Sequence, residues 1–221
     1  MIAGELDISV GSMVPAGSMT TAIIAGHYGL PIWLAVAAVL LLGIVVGLVN
    51  GNLVVRTAVP SFIVTLGTLF AMAGFILGLS VIITGTTSVA LTAPPLAKAI
   101  FGDLYFGKQF QVIIAWWLAA AAAYIFFVHY SKYGNWIFAM GGDREAARNA
   151  GIPTNKLTIT LFVLSSTSAA FVGMCQAILF NSAQVSGGQS YIFNAIIAVV
   201  VGGVLLTGGF GSVIGILFGT I

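Results

Sequence analysis

The sequence predicts an all-α fold, a polytopic bundle of transmembrane helices. Hydrophobic residues make up 60% of the 221 residues and charged residues only 5%, a balance far outside that of soluble domains. The apolar runs are long and unbroken, whereas a transmembrane β-barrel would show segments of about ten residues with alternating hydrophobicity. Half of the charged side chains fall in one stretch, residues 129–156. These three features predict helices that cross a bilayer several times around one charged connection.

The apolar runs are predicted as spans of one transmembrane domain. A helix needs about 20 apolar residues to cross about 30 Å of hydrocarbon. The last run is much shorter, so we expect the chain to be truncated at that end, and its abrupt start suggests the same for the other end. The predicted domain covers residues 1–221, with spans at 10–27, 31–55, 60–83, 112–128, 157–180, 192–207 and, incomplete, 210–221.

Glycine and proline indicate how the helices pack. Pro15 interrupts the first span, and a proline in a membrane helix is tolerated only where protein or water satisfies the freed backbone groups. We therefore expect this span to face other helices or a cavity rather than lipid. Glycines repeated every four residues give a smooth stripe on which another helix can pack closely. The predicted packing positions are Gly43, Gly47, Gly51, Gly74, Gly78, Gly211 and Gly215.

Basic residues predict the orientation, because cytoplasmic loops carry an excess of lysine and arginine. The loop 129–156 carries four of them, the loop 84–111 two and the loop 181–191 none. Strict alternation of the spans places Arg56 on the same side as the loop 129–156. That side is predicted to be cytoplasmic.

A short helix is predicted at the centre of the charged loop, over residues 143–150. Asp143 is a good N-cap, Gly151 can adopt the left-handed closing conformation, and Pro153 prevents continuation. Two interpretations stay open from the residues alone: a solvated loop, or a helix that docks on a partner. The two faces of the predicted helix carry small residues (Ala146, Ala147, Ala150) and polar residues (Arg144, Glu145, Arg148, Asn149).

Several blocks of the chain resemble, in order, the permease subunits of bacterial carbohydrate ABC importers (the ribose, xylose, arabinose and galactose type), a binding-protein-dependent transport family. The resemblance covers essentially the whole chain. Ile8 stands where leucine is commoner in this family, and Asp143 stands where asparagine is commoner. The blocks are AGELDISVGS (3–12), NGNLVV (50–55) with VPSFIVTLGT (59–68), AMGGDREAARNAGI (139–152), and AVVVGG (198–203) with GGFGS (208–212).

The resemblance implies a type II ABC importer permease in the bacterial plasma (inner) membrane. It implies four partners: a cytoplasmic ATPase, a second permease copy or paralogue, a periplasmic sugar-binding protein and the lipid bilayer. It also favours the docking interpretation of the charged loop 129–156 as the coupling loop that contacts the ATPase. The implied coupling residues are Gly142, Asp143, Arg144, Glu145, Ala146, Ala147, Arg148, Ala150 and Gly151.

A path for a neutral, hydroxyl-rich sugar should offer dipoles rather than strong fixed charges. Serine, threonine and asparagine in the spans fit this requirement, although such side chains also commonly hydrogen-bond within and between helices. Asp7, at the edge of the first span, is either functional or caps the helix that follows. The candidate path residues are Asp7, Ser9, Ser12, Asn50, Thr65, Thr68, Ser165 and Ser168.

Two other functions remain as alternatives to sugar import. An ABC permease for branched-chain amino acids is the closer one, and the block AGELDISVGS argues against it. A secondary carrier would need an ion or proton relay inside the membrane, yet Asp7 is the sole acidic residue near a predicted span interior. The sequence lacks the GxxxxGK[ST] phosphate loop, so an enzyme is not expected and ATP hydrolysis would fall to the partner subunit. No cofactor, metal or nucleic acid is expected.

Overall fold

A computed structural model describes residues 1–57, 59–105 and 110–220 of the chain, and helices dominate this part. Two π-helical turns, Ala22–His27 and Phe126–Tyr130, each continue the α-helix that precedes them. Two short antiparallel pairs join β1 (Ser88–Ala90) to β4 (Ser182–Gln184) and β2 (Leu104–Tyr105) to β3 (Phe110–Gln111). In chain order the helices are α1 (Val10–Thr21), α2 (Ile32–Arg56), α3 (Ser61–Thr84), α4 (Pro95–Phe101), α5 (Val112–Ile125), α6 (Lys132–Gly142), α7 (Arg144–Asn149), α8 (Thr154–Phe180), α9 (Gln189–Val201) and α10 (Val213–Gly219).

Four helices in the described part are long and apolar enough to cross a membrane. They are α2, α3, α5 with its π-helical extension, and α8, and they confirm the predicted helical membrane fold. The first predicted span corresponds to α1, which is buried along almost its whole length against α2, α3 and α8. Pro15 therefore lies inside protein, as expected for a helix whose backbone hydrogen bonds are interrupted.

The chain departs from the predicted spans in three places. The helix at 192–207 ends at Val201, because Gly203 has positive φ and turns the backbone. Gly208 and Gly209 also have positive φ and lie in the turn that follows. The run at 210–221 becomes helical only from Val213; residue 221 lies outside the described residues. The charged loop 129–156 contains a further helix, α6, that was not predicted, and α6 buries Ile137 and Met140 on one side.

The glycine stripe of α2 packs closely against a neighbouring helix, which is α8. A Cβ built at Gly43 would lie 2.5 Å from the Cα of Thr167, and one at Gly51 would lie 2.7 Å from the Cα of Ile159. A Cβ at Gly47, which lies between them on the helix, would be equally close to the Cα of Val163. The two helices are antiparallel, since the contacts run in opposite directions along them. Arg56 at the end of α2 therefore lies at the same end of the bundle as the start of α8.

The other predicted glycine positions behave differently. Within the described residues, Cβ atoms at Gly74 and Gly78 would meet open space, so these two glycines do not pack against this chain. Gly215 does pack closely, because a Cβ there would overlap the carbonyl oxygen of Gly202 at the end of α9. Gly211 precedes α10 and has φ +155°, so it belongs to the turn and not to a helical stripe with Gly215.

The predicted orientation can be tested with single cysteines at the two ends of the bundle. Asn149 lies in the charged segment and Ser186 near β4, and both side chains are exposed. We expect Asn149→Cys to be labelled by an impermeant maleimide only from the cytoplasmic side, and Ser186→Cys only from the outside. The native Cys175 is buried, so the unsubstituted protein should stay unlabelled and serves as the control. Labelling of Asn149→Cys from the outside would invert the whole topology.

Candidate functional site: the α7 helix and the cavity behind it

The central helix α7 has the predicted start and stop. The Asp143 carboxylate accepts hydrogen bonds from the backbone N–H groups of Glu145 and Ala146, both at 2.9 Å, and this is the expected N-cap. Gly151 has φ +83°, the left-handed conformation that ends many helices. Pro153 precedes the first residue of α8. Local capping chemistry therefore fixes this helix at the charged end of the bundle.

The orientation of α7 corrects one expectation. Ala147 is only 5% exposed and packs in a small core with Ala3, Ile137, Met140 and Leu157 of the same chain. Ala147 therefore cannot contact a partner protein. Its small side chain instead allows α7 to pack closely on this core. The exposed residues of this segment, on which a partner could rest, are Gly142, Asp143, Glu145, Ala146, Arg148, Asn149, Ala150 and Gly151.

Arg144 is also not a free polar residue. Its guanidinium forms an ion pair with the carboxylate of Glu5 and donates to the hydroxyl of Thr158 at 3.3 Å. In the described residues this is the sole salt bridge, and it joins positions 139 apart in the sequence. The side chains of Glu5 and Arg144 are 17% and 40% exposed, so the pair is half-buried. α7 is thereby attached to the segment that leads into α1.

That leading segment, residues 2–8, is held against α3 by threonine and serine side chains. The N–H of Leu6 donates to the hydroxyl of Ser61 at 3.1 Å, and the N–H of Ile8 donates to the hydroxyl of Thr65 at 3.3 Å. Non-helical backbone near a membrane needs such partners, because unsatisfied N–H groups are costly away from water. Segment 2–8 therefore forms part of the fixed structure between α7 and α1.

A chain of side-chain hydrogen bonds continues from this segment into the bundle. The hydroxyl of Thr68 donates to Asn50 Oδ1 at 2.5 Å, Asn50 Nδ2 donates to the hydroxyl of Ser9 at 3.1 Å, and that hydroxyl donates to Asp7 Oδ1 at 2.5 Å. The N–H of Ser9 also donates to Asp7 Oδ1 at 3.0 Å. Ser9 and Asn50 are fully buried, so their hydrogen bonds hold α1, α2 and α3 together.

A cavity of about 340 Å³ opens beside Asp7, between segment 2–8, α8 and α9. Asp7 and Ser165 line it, together with mainly apolar side chains and the Thr158 contacted by Arg144. Asp7 Oδ2 is buried and has no hydrogen-bond partner among the described residues. Of the predicted path residues, Asp7 and Ser165 reach this space.

The remaining predicted path residues are engaged elsewhere. Ser12 donates to the carbonyl oxygen of Ser9 at 2.9 Å, and Thr65 donates to the carbonyl oxygen of Ser61 at 2.9 Å. Ser168 lies 2.7 Å from the hydroxyl of Tyr124, on the side of α8 that faces α5. Among the described residues, no group of three or more histidine, cysteine or acidic side chains is arranged to hold a metal ion.

A junction of glycines lies between α7 and the α9–α10 turn. A Cβ at Gly208 would lie 2.7 Å from the backbone nitrogen of Gly4 and 2.8 Å from the carbonyl oxygen of Gly141. The N–H of Gly209 donates to the carbonyl oxygen of Ile2 at 2.8 Å. Three backbone segments therefore meet here with almost no side chain between them.

The architecture defines a multi-pass helical membrane protein whose charged end carries a capped, partly exposed short helix. The sequence profile of the family described as "Branched-chain amino acid transport system / permease component" matches residues 1–221, and the chain belongs to this family. Since four helices of the described residues are long and apolar enough to cross a bilayer, it is a multi-pass protein of the bacterial inner membrane. No solved structure matches significantly.

Similar proteins with curated names include three permeases. The chain is 31% identical to the inner membrane ABC transporter permease protein YjfF of Escherichia coli K12, over 99% of this chain and 65% of that protein. It is 32% identical to the ribose import permease protein RbsC of the same strain, over 100% of this chain and 68% of the relative. It is 29% identical to the autoinducer 2 import system permease protein LsrD of Salmonella typhimurium LT2, over 97% of this chain and 64% of that protein. The chain thus spans about two thirds of their length.

Proposed function

We propose that this chain is the membrane-spanning permease subunit of a bacterial ABC importer and, with a second permease copy or paralogue, forms the path for a monosaccharide. A periplasmic binding protein would deliver the sugar, and a cytoplasmic ATPase would supply the energy. The observation that carries this proposal is α7: a capped helix with an exposed polar surface, anchored through Arg144 and Glu5 to a segment that lines a cavity. Membership in the permease family supports it.

The ATPase contact is assigned to the exposed side of α7. Glu145 and Arg148 are exposed there, and exposed charges orient a partner and set the rate of association more than they add affinity. Ala146 and Ala150 leave room for close approach on the same surface. Ala147 and Arg144 support the helix from inside the chain, so they act on this contact by positioning it.

The side chains that line the cavity beside Asp7 favour a sugar over an amino acid as the substrate. A free amino acid carries an ammonium and a carboxylate, and an uncompensated charge is expensive to desolvate. The cavity beside Asp7 is lined by the carboxylates of Glu5 and Asp7 and, among its described lining residues, by no lysine, arginine or histidine side chain. The carboxylate of an amino acid would therefore find no cationic side chain in this lining. Two of the similar permeases are named for the import of ribose and of autoinducer 2, and ribose is an uncharged, hydroxylated molecule.

Uptake by the assembled transporter tests this proposal. Proteoliposomes that contain the permease, its ATPase and its binding protein should accumulate at least one labelled pentose or hexose in an ATP-dependent manner. Labelled leucine is the comparison, because the family description favours branched-chain amino acids as the second candidate. Accumulation of leucine without any sugar would replace the proposed substrate class, and uptake driven by an ion gradient without ATP would remove the ABC assignment.

A further inference from the structure

A second cavity, of about 260 Å³, lies at the opposite end of the bundle from α7. It is bounded by α1, the end of α8, β4 and the start of α9. No lining residue carries a charge, and the polar ones include Ser18, Gln176 and Tyr191 with serines and a glutamine around β4. Its volume is slightly below the range of about 300–1,000 Å³ that holds drug-sized ligands. The space therefore suits a small, neutral solute.

The polar groups of this cavity are arranged in a way that can bind hydroxyl groups. Gln176 Nε2 donates to the hydroxyl of Tyr191 at 2.7 Å. The hydroxyl proton of Tyr191 and the carbonyl oxygen of Gln176 take part in no other hydrogen bond of the described residues, so they supply one donor and one acceptor. The ring of Tyr191 adds an apolar surface beside its polar tip. A molecule with hydroxyl groups and C–H faces matches both features.

Next to this cavity, α1 and the start of α9 pack closely through backbone and the side chain of Ile192. A Cβ at Gly11 would lie 2.6 Å from Cδ1 of Ile192, and one at Gly188 would overlap the carbonyl oxygen of Gly11. Pro15, four residues after Gly11, lines the cavity and cannot donate to that carbonyl. Val10 and Ile192 line the cavity beside Asp7, whereas Pro15 and Tyr191 line this one, so the two cavities contact neighbouring stretches of α1 and α9.

We propose that this cavity is a solute-binding subsite in which Gln176 and Tyr191 hydrogen-bond a neutral, polyhydroxylated molecule released by the binding protein. The subsite rests on the proposed import function and names its first contact within the permease. It lies at the end predicted to face the periplasm, where the solute must enter. Neither Gln176 nor Tyr191 was identified from the sequence, because a lone glutamine and a lone tyrosine near span ends carry no motif.

The test measures sugar uptake and ATP hydrolysis in the same proteoliposomes, with labelled ribose as the first probe and saturating loaded binding protein. Gln176→Leu should lower the amount of ribose transported per ATP about tenfold, since removing one partner of a hydrogen bond to a buried group typically has an effect of this size. Tyr191→Phe keeps the ring and should cause a smaller loss. ATP hydrolysis should stay at the wild-type rate in both.

Thr160→Val is the matched control, because Thr160 lies on the same helix, is exposed, and donates to the carbonyl oxygen of Lys156 at 2.9 Å. It should leave transport unchanged. The subsite is refuted if both cavity variants transport as much sugar per ATP as the wild type. It is equally refuted if transport, ATP hydrolysis and assembly fall together, because the side chains are then structural. A wild-type transporter that takes up no sugar refutes the import function itself, a separate outcome.

Discussion

Replacing Gly47 by leucine is expected to prevent stable assembly of the protein. Gly47 faces the backbone of α8, and a Cβ there would lie 2.7 Å from the carbonyl oxygen of Phe162 and still closer to the Cα of Val163. Overpacking typically costs about 1–3 kcal/mol where side chains can move aside. Here the obstacle is backbone, so the helices must separate, and we expect a loss of at least about 3 kcal/mol. The measurement is the yield and thermal stability of the detergent-solubilised protein.

Ala37→Leu is the matched control for this substitution. Ala37 lies on the same helix, but its side chain is exposed on the outside of the bundle. The added side chain should then meet lipid and leave yield and stability almost unchanged. Wild-type stability of Gly47→Leu would contradict the close packing of α2 on α8.

Loss of the ion pair between Arg144 and Glu5 is expected to lower both uptake and the ATP hydrolysis that the solute stimulates. Removing one partner leaves the other charge half-buried and unpaired. The expected loss of stability lies between the values for exposed and for buried ion pairs, about 1–3 kcal/mol. Arg144→Gln or Glu5→Gln should therefore lower solute-stimulated ATP hydrolysis and uptake about tenfold or more. The measurement is both rates in proteoliposomes, with membrane insertion checked separately.

The exchanged double variant, Glu5→Arg with Arg144→Glu, separates the ion pair from other roles of the two side chains. It should recover part of the lost activity, because the attraction is restored with the charges reversed. Arg56→Gln serves as the control, since Arg56 lies at the same end of the bundle, is exposed and makes no ion pair among the described residues. Strictly additive losses in the double variant would show that the pair does not act as a unit.

Much of the fold could be predicted because hydropathy and glycine spacing are local properties of the chain. The spans near α2, α3 and α8 agree with the helices within a few residues, and so does the stripe of Gly43, Gly47 and Gly51. α6 was missed because glycines and an asparagine give it poor helix propensity and it lies in a polar connection. What stabilises α6 is the burial of Ile137 and Met140, a tertiary effect.

The candidate site was predictable only in part. The N-cap and the closing glycine of α7 could be read from neighbouring residues, and both are confirmed. Which side of such a short helix faces the chain depends on distant residues, so the inward position of Ala147 could not be predicted. The same holds for the contact of Arg144 with Glu5 and for the chain of hydrogen bonds from Thr68 to Asp7.

The junction of Gly4, Gly141 and Gly208 has a mechanical consequence. Where side chains separate two segments, changes of rotamer can absorb small displacements. At this junction backbone contacts backbone directly, so there are no side chains whose rotamers could change. A shift of the end of α6, next to α7, must therefore displace both segment 2–8 and the turn before α10. Segment 2–8 also lines the cavity beside Asp7, so a displacement of α7 would change the shape of that cavity.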